Sequence, residues 1–175
     1  MIPQIIGIFA VATFLLSYQQ KTRKNIIWTN VLSRCLYILQ YLLLGAFAGA
    51  VLDVLGAVSS VVAGKKHTAF VEKYKIILLL GMNVCILVAG GLVAILNHRW
   101  LDLFSIAGVL LHTNAFWLND ERKIRIVSLL GSPCWFVYNC TSRAYGSAVG
   151  DVLTMGSILL AMFKYRKKKS PSIPH

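Results

Sequence analysis

From Ile76 to Leu96 the chain reads IILLLGMNVCILVAGGLVAIL, an unbroken apolar run without one formal charge. Wound as a helix at 1.5 Å per residue, a run of this length matches the ~20 residues that cross a ~30 Å hydrocarbon core. A water-soluble fold has little use for such a segment, whereas a bilayer requires it. The rest of the chain agrees: 57% of its 175 residues are hydrophobic and 14% are charged, against roughly a quarter charged in ordinary soluble domains. The expected class is an all-α integral membrane protein.

Charges, glycines and asparagines divide the chain into seven apolar segments, 5–18, 26–44, 47–63, 76–96, 101–118, 124–140 and 145–163. Hydrocarbon satisfies no backbone polar group, so each segment is predicted to be a helix. The alternating polarity of a barrel strand is absent. No basic stretch or small-residue cleavage pattern marks the first segment as a removable leader, so it is expected to stay.

Orientation follows from the basic residues. Fifteen of the 18 lysines and arginines fall after helix one, after helix three, around the start of helix six and after helix seven. Arg99 and Arg143 lie in the opposite loops, and Arg34 lies inside helix two. By the positive-inside rule the N-terminus is expected outside and the C-terminus in the cytoplasm. Merging or splitting one helix would put a basic loop on the wrong side. The net charge of +12 is therefore loop charge, and no nucleic-acid partner is expected. The bilayer is the expected partner, with anionic lipid a candidate contact for the basic tail.

An internal echo organises the chain. Ala50-Val51-Leu52-Asp53-Val54-Leu55 and Ala148-Val149-Gly150-Asp151-Val152-Leu153 lie 98 positions apart. The same offset lays Lys24 on Arg122, Ile26 on Ile124, Leu32 on Leu130 and Tyr37 on Trp135. It maps helices one to three onto helices five to seven and leaves helix four unmatched. A three-helix unit that starts outside finishes inside, so a fourth helix must cross back before a second copy can point the same way. The expected architecture is thus a 3+1+3 parallel duplication: repeat one at 1–64, a linker helix within 65–97, repeat two at 98–166 and a basic cytoplasmic tail at 167–175. Parallel repeats of this kind enclose a pathway between them.

The run Trp135-Phe136-Val137-Tyr138-Asn139 resembles the W-x-x-Y-G element of SWEET-type carriers, and Asp151 falls near the site asparagine of that family's third helix. Tyr37 stands where the first repeat would carry tryptophan, and both third-helix positions are aspartate. In layout, spacing and small-residue third helices, about residues 4–166 more closely resemble the YgjV-type bacterial inner-membrane proteins. That resemblance implies a multi-pass protein of the bacterial inner membrane.

Several polar groups sit where apolar ones would be cheaper. Arg34 lies about nine residues into helix two, ~14 Å deep, and charges at such depth face a cavity or a partner. Asp53 and Asp151 enter from the other side by ~9 Å, within reach of that guanidinium. They either lock helices two and three or gate a pathway. Trp135, ~15 Å in, belongs to neither interfacial belt; with Tyr37, Tyr138 and Asn139 it can form an aromatic, hydrogen-bonding wall for a small polar solute, or simply pack the core. Trp28, Trp100 and Trp117 are expected in the belts. Pro133 is expected to bend helix six. His112, Asn114 and Asn83 are expected to form interhelical hydrogen bonds.

The four cysteines show no metal spacing, and no phosphate loop or Ser-His-Asp set is present, so no cofactor, metal site or catalysis is expected. The function expected is a small-solute transporter, proton-coupled or facilitative, working by alternating access; a non-transporting membrane scaffold is the alternative.

Overall fold

The computed structural model describes residues 2–166, so the basic tail from Lys167, and the lipid contact expected of it, lie outside the described residues. Among these the chain forms eight helices: α1 (Ile2–Gln19), α2 (Arg23–Leu44), α3 (Phe47–Gly64), α4 (Ala69–Lys73), α5 (Lys75–Leu96), α6 (Asp102–Ala115), α7 (Glu121–Thr141) and α8 (Tyr145–Arg166). Seven correspond to the apolar segments. The short α4 was not expected; it lies in the basic loop after α3 and tucks Val71 against the core.

Local chemistry fixes the boundaries. Thr22 caps α2 by accepting from the Asn25 amide, and Asp120 caps α7 by accepting from the amides of Arg122 and Lys123. Gly45 ends α2 in the left-handed region at φ 69°, a conformation that costs glycine nothing. Pro133 stands inside α7, which continues through it to Thr141.

By length and composition, α1, α2, α3, α5 and α8 can each cross a membrane. Helix α6 has only 14 residues, and α7 is long enough but rich in buried polar groups, including Arg125, Ser128, Ser132 and Asn139. Helix α6 exposes Leu103, and α7 exposes Ile126 and Leu130. Helix α1 packs on α2, α2 on α3, α3 on α6, α6 on α7, α7 on α8, and α8 back on α1. Six helices thus close a ring.

Helix α5 stands outside that ring, leaning on the seam between α3 and α6. Only Ile86, Gly90 and Ala94 of α5 are buried, while Ile76, Ile77, Leu80, Leu87 and Leu92 are exposed. An apolar face of that extent belongs against lipid.

The two ends of the ring differ. At one end, Arg23 Nη2 donates to Phe116 O (2.5 Å) and Ala63 O (2.7 Å), and its Nε donates to Leu118 O (2.9 Å). Lys66 Nζ donates to the carbonyls of Trp117 and Leu118, both at 2.9 Å. Arg125 does the same for the end of α1, reaching Tyr18 O and Gln20 O. These cations satisfy carbonyls that helix termini leave orphaned and sit at the negative ends of the helix dipoles. An apolar cluster of Ile26, Ile27, Phe116, Trp117 and Ile124 seals this basic end. Trp117, expected in an interfacial belt, is instead only 7% exposed; the turn after α6 folds it inward beneath those stapled carbonyls.

Candidate functional site

All six ring helices contribute to one central cavity, lined by Phe14, Arg34, Tyr37, Tyr41, Asp53, His112, Trp135, Asn139 and Asp151. The space within which the centre of a water molecule can move is about 20 Å³, enough for a water or two and too little for a sugar ring. At the end opposite the basic cluster, a vestibule of about 270 Å³ by the same measure is lined by Gly45, Phe47, Asn97, Arg99, Asp102 and Tyr138, among others.

The cavity's charges are arranged asymmetrically. Arg34 Nη1 donates to Asp53 Oδ1 at 2.5 Å, and Arg34 Nε donates to Asn30 Oδ1 at 3.1 Å. The guanidinium fits because α3 carries Gly56 beside it; a Cβ there would collide with Arg34 Nη1. Of the two aspartates within reach in the sequence, the pair is formed with Asp53. Asp151, 6% exposed, accepts from Asn139 Nδ2 at 2.8 Å. Among the described residues no cation pairs with it.

A hydrogen-bonded relay ties this acid to α2: Tyr41 Oη donates to Asn139 Oδ1 at 2.8 Å, and Asn139 in turn donates to Asp151. Tyr37 and Tyr41 stack with centroids 6.1 Å apart, and Phe14 meets both Tyr37 and His112 edge-on. Trp135 lies against Gly108 of α6, where a Cβ would stand 2.8 Å from the indole. His112 Nδ1 lies 3.0 Å from Gly108 O, so that nitrogen carries the proton, and Nε2 has no partner among the described residues.

Six of the seven residues singled out in the sequence line the cavity: Tyr37, Arg34, Asp53, Asp151, Trp135 and Asn139. Tyr138 does not; it lines the vestibule and packs edge-on against Trp135 and Tyr41, with its hydroxyl 2.8 Å from the Gly49 amide. It stands between the two spaces. Phe14, Tyr41 and His112 were not foreseen as walls, although the 98-residue offset that pairs Tyr37 with Trp135 also pairs Phe14 with His112 and Tyr41 with Asn139. Asn83 and Asn114 bond each other across α5 and α6, away from the cavity.

The site thus joins a neutralised ion pair, a lone carboxyl and an aromatic lining at the centre of a helical ring. Neither a curated protein nor a solved structure matches the chain. A family model described as bacterial inner membrane protein, Imp-YgjV, matches residues 1–169. With five helices able to span a bilayer and a match over nearly its whole length, the chain belongs to the Imp-YgjV family, as a multi-pass protein of the bacterial inner membrane.

Proposed function

We propose that the protein is a small-solute carrier built as a 3+1+3 parallel duplication, with α1–α3 and α6–α8 as its repeats and α5 as the linker crossing. One observation carries this reading. Eight of the nine cavity residues form four pairs 98 positions apart: Phe14 and His112, Tyr37 and Trp135, Tyr41 and Asn139, Asp53 and Asp151. Phe14 and His112 touch, with centroids 5.8 Å apart, and so do Tyr41 and Asn139. The contact from Tyr138 to Gly49 has its counterpart, with roles exchanged between repeats, in that between Gln40 and Ser147. Residues at equivalent positions meet only near an axis relating the two units, and a cavity on such an axis is where rocking units expose a solute to each side in turn.

The positive-inside rule puts the basic end in the cytoplasm and both termini on the sides read from the sequence. The vestibule is then external, Tyr138 is the outer gate, and the Arg23, Lys66 and Arg125 staples close the inner one. The cavity as folded is an occluded state. Arg34 and Asp53 hold α2 to α3 within one repeat and set the field at the site. The reading assigns the protein no catalysis.

A scaffold that has lost its pathway is the second reading, favoured by the pairing of midplane groups and the small free volume. Single cysteines at positions 37 and 135, in a background lacking the four native ones, separate the two. A carrier population is labelled by membrane-impermeant thiol reagents added from either face of oriented vesicles. A folded protein that neither face can label is a scaffold.

A further inference from the structure

The polar groups of the cavity leave one demand unmet. Arg34 and Asp53 cancel each other, and His112 carries its proton on Nδ1 with a bare, unpartnered Nε2. Asp151 has one neutral donor, Asn139, and no cation among the described residues. An ionised carboxylate buried at this depth needs a positive partner. The groups left over, the Asp151 carboxyl and His112 Nε2, are acceptors and call for a ligand that donates.

The walls narrow the class further. Phe14, Tyr37, Tyr41 and Trp135 surround the space, and aromatic faces beside a carboxylate attract organic cations through their quadrupoles. An anion would meet Asp151 head-on. The approach carries a second acid: Asp102 lines the vestibule at 2% exposure, its Oδ2 accepting from Asn97 and its Oδ1 without a hydrogen-bond partner, while Arg99 Nε lies 3.8 Å away.

We infer that the solute is a small organic cation of the primary- or methylated-ammonium class, its head on Asp151 and its flank against Trp135 and Tyr37. This rests on the carrier reading. The occluded space suits an ammonium head, and longer substituents require the vestibule side to open. When the cation leaves, a proton takes its place on the Asp151 carboxyl, so cation and proton compete for one group. The titratable or charged groups facing Asp151 across the cavity are Arg34, Tyr37 and Tyr41 from α2, Asp53 from α3 and His112 from α6; α1 and α7 face it with Phe14, Trp135 and Asn139.

The test is calorimetric titration of purified protein in detergent with methylammonium and choline chlorides, with sodium chloride, glucose and lactate as comparators. At least one of the two cations is expected to bind wild type, with affinity falling toward tenfold per pH unit on the acid side and one proton released per cation bound there. Asp151→Asn is expected to lose that binding. The proton count is read on wild type, so it stands even if Asp151→Asn fails to fold. Binding of glucose or lactate without either cation, binding of a cation with no proton release, or cation binding that survives in Asp151→Asn overturns the inference. So does absence of any binding, and if positions 37 and 135 are still labelled from both faces, the carrier reading survives that loss.

Discussion

The Arg34–Asp53 pair allows a quantitative prediction. Both side chains are almost fully enclosed, at 3% and 6% exposure, and Arg34→Met removes the charge while roughly keeping the volume. The variant loses two charge-assisted hydrogen bonds, to Asp53 and Asn30, each worth about 1.5–3 kcal/mol, and leaves a carboxylate without a counter-charge, a change that typically costs about 3–5 kcal/mol. The cost has a ceiling, because the stranded carboxyl can take a proton. Protonating a carboxyl of ordinary pKa ~3.9 at pH 7 costs about 4 kcal/mol, and at pH 5 about 1.5 kcal/mol. For a chain of this size, 4 kcal/mol corresponds to a fall in melting temperature of about 8–16 °C. Thermal unfolding of the purified protein at pH 7 and pH 5 is the assay. Arg34→Met should melt far below wild type at pH 7 and recover much of the gap at pH 5. Adding Asp53→Asn should bring it back to within about 1–2 kcal/mol at both pH values, since an ion pair removed whole costs little. If Arg34→Met melts within 2 °C of wild type at pH 7, the pair does not hold α2 to α3 and the reasoning fails.

Other outcomes follow from single contacts. Tyr41→Phe strips the donor from buried Asn139 Oδ1 and should cost about 1–3 kcal/mol by the same melting assay. Gly108→Ala places a methyl 2.8 Å from the Trp135 indole; it should cost about 1–3 kcal/mol as overpacking and red-shift or blue-shift the tryptophan emission as the ring moves. Lys66 is pushed down to about 8 by burial and then by the charges of Arg23 and Lys75. The unfolded chain, with an ordinary lysine, binds more protons between pH 8 and about 10.5. Stability should therefore rise with pH across that window in wild type, and Lys66→Met should flatten the rise in a melting series from pH 7.5 to 10.5.

What the sequence could reveal was decided by depth. Helix existence was legible because hydrocarbon imposes a length and forbids charge: segment 47–63 is α3 to within a residue, and 76–96 is α5 to within one. The beginning of α2 was not, because Arg23 reads as loop while its guanidinium is committed to three carbonyls. Helix α6 stops at Ala115, short of the expected 118, since the carbonyls of Phe116, Trp117 and Leu118 turn toward Arg23 and Lys66. Five-residue α4 carries no periodicity to detect. At the site, unusual polarity at depth exposed Arg34, Asp53 and Asp151, but ordinary aromatic residues such as Phe14 and Tyr41 reveal no facing direction until helices are packed. Which of Asp53 and Asp151 pairs with Arg34 depends on how α2, α3 and α8 pack, and the pair is formed with Asp53.

The ring has two seams between its halves, and they are built unequally. The α3–α6 seam is backed along its length by α5, which wedges Gly90 against Ile106 and Leu52. Among the described residues no helix backs the α1–α8 seam, where Gln19 Nε2 bonds Ser157, Tyr165 Oη bonds Gln19 O, and Gly150 of α8 packs against Val11. One seam is thus covered by a third helix and the other is closed by α1 and α8 alone, like a book bound at α5. On the carrier reading proposed above, relative motion of the halves would be a fanning about that spine, largest at the lipid-facing lips of α1 and α8. A crosslink placed there should arrest it, while the same crosslink between α3 and α6 should leave it free.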